Sequence, residues 1–516
     1  MTLQVAGHPL SLHPRLAWST VRVEVVSLPS PLKRWLGFLG ALVAIGAVGA
    51  VLTIPPGDEV FGTTPTIEWG VLIASYVFLV VTTSGLCLVS ALGQVFGVEA
   101  FKPVAKRAVV LALAFLLAGF AVIGLDLHYP IRLVFGVVLS PSPTSAMWWM
   151  GVLYCIYMVF LLVELFGMLA GFERIAKVGS ALCLVMAIAA PSTLGAVFGV
   201  LVSRSFWSES LVPVYMLLTA ILSGTAILGI VFSMIDRPGI ARPGHEHSAA
   251  EHAAVLPAIR RLLALAIGLV LAYTTWEMAV AVTSGAPAAH GAAMAQLTGP
   301  LSVHFWLLKV GIGLVAPLAL LALPGLIDRT VVLPAACLAM VGMFVDRIAF
   351  VSAGQIAPPS VASGVASAPY AAYSPSLVEI AIVVGAVGLV GLIYTLAERF
   401  LDLSEREGHG ATAQAAGGGI VATPLARLGF VGRHPAFATV APEAMAAQPT
   451  VVEPIVADGT AASTLPEPFE AAFALTPIDA LDPALATSDA TPDGAPCDNA
   501  QAGNQPAPAE PEGALP

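Results

Sequence analysis

The stretch Ala108–Arg132, AVVLALAFLLAGFAVIGLDLHYPIR, decides how this chain folds. Its first eighteen residues (108–125) carry no charge at all. A helix rises about 1.5 Å per residue, so about 20 such residues cross the roughly 30 Å hydrocarbon layer of a bilayer. Asp126, His128, Tyr129 and Arg132 then crowd together within seven positions. The stretch reads as a helix that crosses a membrane and ends at its surface, with Asp126 and His128 at that end.

The rest of the chain agrees. Of 516 residues, 58% are hydrophobic and only 10% charged, where a soluble domain carries about 25%. Ten runs are long enough to span: 36–54, 69–93, 108–126, 147–169, 180–203, 211–235, 259–282, 301–323, 331–352 and 376–400. The expected fold is an all-α integral membrane protein of about ten transmembrane helices. No cleavable signal precedes the first run, which would serve as the insertion signal. Gly37, Gly40, Gly46 and Gly49 in that run suit close helix packing.

Lys and Arg set the orientation, because cytoplasmic loops retain them. With the N-terminus inside, sixteen of the 22 basic residues fall in inner segments and two, Arg132 and Arg204, in outer loops. Both termini are therefore expected in the cytoplasm. Trp148-Trp149, Phe206-Trp207 and Phe305-Trp306 fall at the outer interface and read as belt aromatics.

Three segments follow: a cytoplasmic N-terminal segment 1–35, a ten-helix membrane domain 36–401, and a tail 402–516 rich in Ala, Pro and acids. Residues 411–516 hold 12 acidic and 2 basic side chains, which accounts for the whole net charge of −10. That composition predicts a disordered cytoplasmic tail. Within it, PFEAAFALTPIDALDPAL (468–485) could fold as a helix on a partner.

An ionisable side chain inside a span is costly, so each one is a candidate functional group. Asp126 and His128 close the third span. Glu277 lies in the seventh, His304 and Lys309 in the eighth, Asp346 and Arg347 in the ninth, and Glu379 begins the tenth. Gln355 and Tyr373 flank the last outer loop. All sit in one outer layer; only Glu164, near the inner end of the fourth span, departs from it. Structural ion pairing among Lys309, Arg347 and the carboxylates is the simpler alternative to a pocket. Tyr154, about two turns into the fourth span, could hydrogen-bond a ligand or simply pack.

Several ligands can be weighed against this layer. A transmembrane haem needs histidines deep in helices. Only His128 and His304 are near spans, both at the outer surface, so no haem is expected. The cysteines Cys87, Cys155, Cys183, Cys337 and Cys497 lack paired spacing, so no metal or iron–sulfur site is expected within this chain. A quinone needs an apolar slot, hydrogen-bond donors and groups that exchange protons, and the outer layer supplies these. A secondary transporter or ion-translocating protein is the alternative. Its sites usually lie near the midplane between repeated halves, and no internal repeat is visible.

The segments TIEWGVLIASYVFLVVTTSG (66–85), AVIGLDLHYPIRLVF (121–135), PSPTSAMWW (141–149) and HFWLLKVGIGLVAPLALL (304–321) resemble the polysulfide reductase membrane-subunit family of NrfD/PsrC type. VDRIAFVSAGQ (345–355) and YSPSLVEIAIVVGAVGLVGLIYTLAERFL (373–401) resemble its ten-helix branch, that of the periplasmic hydrogenase and alternative complex III membrane subunits. The resemblance implies a quinone-reactive anchor subunit of a respiratory oxidoreductase complex in the bacterial inner membrane. It implies menaquinone or ubiquinone as the cofactor, with no haem or metal. The implied partners are a four-cluster ferredoxin-like iron–sulfur subunit and a periplasmic catalytic subunit: a molybdopterin enzyme, a hydrogenase or a multihaem cytochrome. Lipid surrounds the chain and no nucleic acid is expected. The family usually reads Asp-Leu-Gly-Arg-Pro after the third helix; here Asp126 and Pro130 match, while His128 and Tyr129 replace Gly and Arg.

On this reading Asp126 and His128 exchange protons with quinol, and Tyr129 and Tyr154 line its pocket. Glu277, His304, Lys309, Arg347 and Glu379 form a second polar network. Glu164 either relays protons to the cytoplasm or snorkels to the inner interface.

Overall fold

The structure, a computed structural model, describes residues 3–5, 8–10, 29–53, 60–127, 140–204, 206–234, 249–324, 327–356, 370–401 and 403. A short antiparallel hairpin pairs Leu3–Val5 with His8–Leu10. Everything else with regular structure is helical: α1 (Ser30–Leu52), α2 (Val71–Gln94), α3 (Ala105–Asp126), α4 (Ala146–Ala170), α5 (Glu173–Gly199), α6 (Val212–Met234), α7 (Ala249–Thr283), a short α8 (Pro287–Leu297), α9 (Val303–Ala322), α10 (Asp328–Ile356) and α11 (Leu377–Phe400). All but α8 are long and apolar enough to cross a membrane, which makes ten among the described residues. A 3₁₀ turn at Glu99–Val104 leads into α3, and the first thirteen residues of α9, Val303–Val315, wind as a π-helix. The end holding Val71, Asp126, Ala146 and Thr283 is the one the basic residues assign to the outside, and it is the outer end below.

The ten crossings match the apolar runs, but several helices are longer. The α5 helix begins at Glu173 rather than 180, α7 at Ala249 rather than 259, and α10 continues to Ile356 rather than 352. Hydropathy registers only the lipid-thick part of a helix. Arg174 and Lys177 extend α5 beyond it while satisfying the backbone internally.

Local chemistry fixes the ends. Ser145 caps α4, its hydroxyl accepting the Trp148 N–H. Gly171, at φ 76°, makes the left-handed turn that folds α5 back on α4. Ser376 and Glu379 form a capping box at the start of α11.

Two four-helix groups result. In one, α2, α3, α4 and α5 pack together; in the other, α6, α7, α9 and α10. They join chiefly where α2 crosses α6, with Gly85 set directly against Ala220 and Gly224. A methyl group at Gly85 would collide with that backbone, so this crossing requires glycine. The α1 helix lies outside both groups and packs along α11, with Gly46 on Gly385 and Gly49 on Ala381 and Ile382. Gly37 and Gly40 have no such neighbour, so only Gly46 and Gly49, the pair nearer the outer end, fill that role.

Ion pairs tie the inner ends. Arg107 of α3, buried, grips Glu398 of α11 with Nη2–Oε1 at 3.1 Å and Nε–Oε2 at 3.3 Å, and the Tyr394 hydroxyl donates to the same carboxylate. Arg260 of α7 pairs with Asp328 at 2.9 Å and caps the end of α9 through the carbonyls of Leu321 and Leu323.

The belt reading holds for Trp149 and Trp306, which are exposed, but is corrected for Phe206, Trp207 and Phe305, which are buried. Trp207 stacks on Trp69 at 5.2 Å and its indole N–H donates to the Phe350 carbonyl. Aromatic residues at interfacial depth face lipid or core according to helix azimuth, which depth alone does not specify.

Candidate functional site

The last residue of α3 is Asp126, partly buried where α3, α11 and the segment before α2 converge. Glu379 and Tyr373 lie within electrostatic reach of it. Glu379 is 1% exposed. Its Oε2 accepts the Gly62 N–H at 2.9 Å and the Ser376 N–H at 2.7 Å, and its Oε1 accepts the Tyr373 hydroxyl at 2.9 Å. The Tyr373 oxygen in turn accepts the Val71 N–H at 2.7 Å. Burial, and then the Glu379 carboxylate, push the Tyr373 phenol well above its ordinary pKa, so it stays a donor. Next to it, Gln355 clamps Trp69 with two hydrogen bonds of 3.0 Å, one to its N–H and one to its carbonyl.

Glu379 therefore belongs with Asp126 and not with the second network expected for it. Sequence gives depth along a helix, and at equal depth α11 faces α1 and α3 rather than α9.

Below Asp126 an apolar slot of about 170 Å³ opens between α1, α3 and α11. Small side chains line it: Gly46 and Ala50 from α1, Ala121 and Val122 from α3, Gly385 and Ala386 from α11. It can take a flat or chain-like apolar group, and Leu125, the residue before Asp126, lines it.

A line of buried polar side chains runs inward through the α2–α5 group. Tyr154 is fully buried, near Tyr76 and Ser84 of α2, and its ring stacks on Tyr157 at 6.5 Å. Tyr157 approaches Cys87, and beyond it Cys183 and Glu164. The Tyr154 and Tyr157 hydroxyls have no hydrogen bond of normal geometry among the described residues. Glu164 is 2% exposed and accepts a short hydrogen bond from Ser180. It faces α5 and the bundle interior, so it does not snorkel to the inner interface.

A second cluster fills the outer half of the other group. Asp346 of α10 is completely buried; Lys309 of α9 sits 2.6 Å from its Oδ1, and the Tyr215 hydroxyl of α6 donates to its Oδ2. Arg347 donates to Thr219 and to the Met216 sulfur, with its guanidinium 5.1 Å from the Tyr215 ring centre. Tyr215 stacks on Tyr273 at 4.9 Å. Glu277 of α7, also buried, lies within electrostatic reach of Lys309, Asp346 and Arg347. Lys309, Arg347 and Glu277 thus come together as expected. His304 does not: its helical position turns it outward and it is exposed. His128 and Tyr129 lie outside the described residues.

Tyr215, Thr219, Tyr157, Ser180 and Cys183 are not singled out by sequence as members of these clusters. Their signal is there in part, since tyrosines within spans at the depth of ionisable residues are candidates to bond them.

No group of three or more His, Cys, Asp or Glu is arranged to hold a metal among the described residues. Comparison with known proteins matches residues 59–359 to the family described as "Polysulphide reductase, NrfD". The chain is 22% identical to a selenate reductase subunit of Mesobacillus selenatarsenatis over 73% of its length and 95% of the relative. It is 27% identical to a putative dimethyl sulfoxide reductase membrane subunit of Halobacterium salinarum, over 77% of this chain and 98% of that one. It is 24% identical to an Hdr-like menaquinol oxidoreductase integral membrane subunit of Archaeoglobus fulgidus, over 71% and 92%. With ten apolar helices and a family match spanning more than half of its residues, this chain is a multi-pass membrane protein that belongs to the polysulphide reductase NrfD family.

Proposed function

We propose that this chain is the quinone-reactive membrane anchor of a respiratory oxidoreductase complex. It passes electrons between membrane quinol and an iron–sulfur subunit docked on the outer face. The observation that carries the reading is an apolar slot between α1, α3 and α11 whose lining ends at Leu125, the residue before Asp126. The relatives' names support it, since all three are subunits of reductases or oxidoreductases and one is a menaquinol oxidoreductase. The outer partner would be a four-cluster ferredoxin-like protein joined to a periplasmic catalytic subunit. The membrane would be the bacterial inner membrane, with residues 1–35 and the acidic tail 402–516 in the cytoplasm.

The donor set fits a quinone head. Quinol gives up two electrons, to the iron–sulfur partner, and two protons when it is oxidised. Asp126 takes up one proton at its carboxylate and His128 takes up the other at its imidazole. Glu379 has a structural task instead, since both its oxygens accept hydrogen bonds from Gly62, Ser376 and Tyr373. Its charge and the rigid Tyr373–Val71 link hold the pocket wall in place. Small side chains at Gly46, Ala50 and Ala121 leave room for an isoprenoid tail. The polar line from Tyr76 through Tyr154 and Tyr157 to Glu164 can carry protons toward the inner side, which assigns Glu164 the role of relay. His128 and Tyr129 are placed beside Asp126 by sequence and belong to the same proposal.

The test uses the intact complex in membranes. Asp126→Asn is expected to lower quinol-dependent turnover by roughly 100-fold or more, the usual contribution of a positioned acid–base group. Activity of the catalytic partner with an artificial electron donor should persist. Unchanged quinol turnover, or purification of the chain without any iron–sulfur protein, would sink the reading.

A further inference from the structure

The two helix groups differ in where their titratable side chains stop. In the α2–α5 group, polar residues continue to Glu164, roughly 9 Å from the inner end of α4 at about 1.5 Å per residue. In the second group they end abruptly. Residues 216–234, 262–272, 310–322 and 330–345 contain no Asp, Glu, Lys, Arg, His or Tyr. Every ionisable group of the α6–α10 cluster therefore lies toward the outer end, above a layer whose buried polar side chains are hydroxyls such as Ser223, Thr225 and Ser233.

Within that cluster the charges are unequally committed. Lys309 is bound to Asp346 at 2.6 Å. Arg347 is held by Thr219 and Met216, 3.9 Å from Asp346. Glu277 is 5% exposed, yet it forms no hydrogen bond or ion pair among the described residues. Thr274, one turn earlier on α7 and 2% exposed, has an unpartnered hydroxyl. Positions i and i+3 share a helix face. A buried carboxylate without a direct partner is costly, and such a group neutralises itself by taking a proton. Ionised, Glu277 makes the cluster neutral, with Lys309 and Arg347 against Asp346 and Glu277. Protonated, it leaves a net charge of +1.

Access is from outside. Glu277 lies roughly 9 Å below the outer end of α7 at about 1.5 Å per residue. Glu209, in the outer loop between α5 and α6, is partly exposed and within electrostatic reach of both Tyr273 and Glu277. The groups facing Glu277 are thus Glu209 from the loop, Tyr215 from α6, Tyr273 from its own helix, Lys309 from α9, and Asp346 and Arg347 from α10.

We propose that Glu277 is a second proton-exchange site, separate from the slot beside Asp126, which loads and unloads one proton through Glu209 on the outer side and has no titratable relay toward the inner side. The fixed cations Lys309 and Arg347 set the charge that Glu277 completes. Arg347 is also within electrostatic reach of Tyr154 in the other helix group, so the state of Glu277 is felt along the α2–α5 line.

The experiment is infrared difference spectroscopy of the purified full chain through a pH titration, which needs no quinol and so stands or falls apart from the quinone reading. One component of the protonated-carboxyl signal is expected to titrate in the wild type and to be missing in Glu277→Gln, while those of the other carboxyl groups remain. Glu277→Asp, which keeps the charge where Glu277→Gln could disturb folding, should retain the signal with a shifted midpoint. After a pH jump, Glu209→Gln should exchange this proton at least tenfold more slowly. A titrating signal identical in the wild type and both Glu277 variants overturns the site. An unchanged exchange rate in Glu209→Gln overturns the route.

Discussion

Glu379, in the first turn of α11, accepts the backbone N–H of Gly62, a residue 317 positions earlier in the chain, at 2.9 Å. The same carboxylate caps its own helix through Ser376 and receives the Tyr373 hydroxyl. One side chain thus joins the last spanning helix to the segment that enters the second. Glu379→Ala should cost about 1–2 kcal/mol for the lost cap, and about 1–3 kcal/mol more for the Gly62 N–H and Tyr373 hydroxyl left without an acceptor. Thermal unfolding in detergent checks this, and a variant as stable as wild type would show that the clamp contributes nothing.

The Lys309–Asp346 pair is buried on both sides. Removing one partner strands the other, so Lys309→Met should destabilise by about 3–5 kcal/mol. Lys309→Met combined with Asp346→Leu should recover much of that loss, because two apolar groups leave no uncompensated charge at the pair. Unfolding midpoints of the two single variants and the double variant give the coupling directly. Additive losses would mean that the pair is not an energetic unit.

Ala121 lines the mouth of the slot between α1, α3 and α11. Ala121→Phe places a ring in about 170 Å³ of space. Turnover with a long-tailed quinol should fall by roughly tenfold, a change of about 1.4 kcal/mol. A short-tailed analogue should be nearly unaffected. Equal losses with both would place the entry path elsewhere.

Glu209 has its carboxyl pushed above the ordinary glutamate value by burial. In the folded chain it therefore holds its proton at pH values where the unfolded chain has released it. Its contribution favours the folded state below the ordinary glutamate pKa and is lost as pH rises through the raised one. Glu209→Gln should match wild-type stability at low pH and gain on it above that window. Melting curves across pH check the sign, and parallel curves for the two proteins would contradict it.

The crossings were legible because each needs an uninterrupted apolar run, and a run such as 108–125 is long enough to span and carries no charge. Helix ends were less so: α7 gains ten residues at its start and α10 four at its end, in sequence whose hydropathy falls while its backbone bonding continues. Depth was readable for Asp126, Glu164, Glu277, Lys309, Arg347 and Asp346, since rise per residue is fixed. Azimuth was not. Glu379 was grouped with Lys309 because the two share a level, yet α11 turns it toward Asp126. His304 shares that level too and points away from the cluster. Trp207 looked interfacial and is core, because Gly354 of α10 leaves room for its indole. Which way a helix turns is set by its neighbours, and those are long-range facts.

The glycine contact between α1 and α11 also bears on how the molecule is made. Among the described residues, the first spanning helix has its main packing partner in the last. Until residues 377–400 are inserted, the face holding Gly46 and Gly49 has only lipid against it, and the third wall of the slot does not exist. A chain cut short anywhere before α11 therefore lacks the slot altogether.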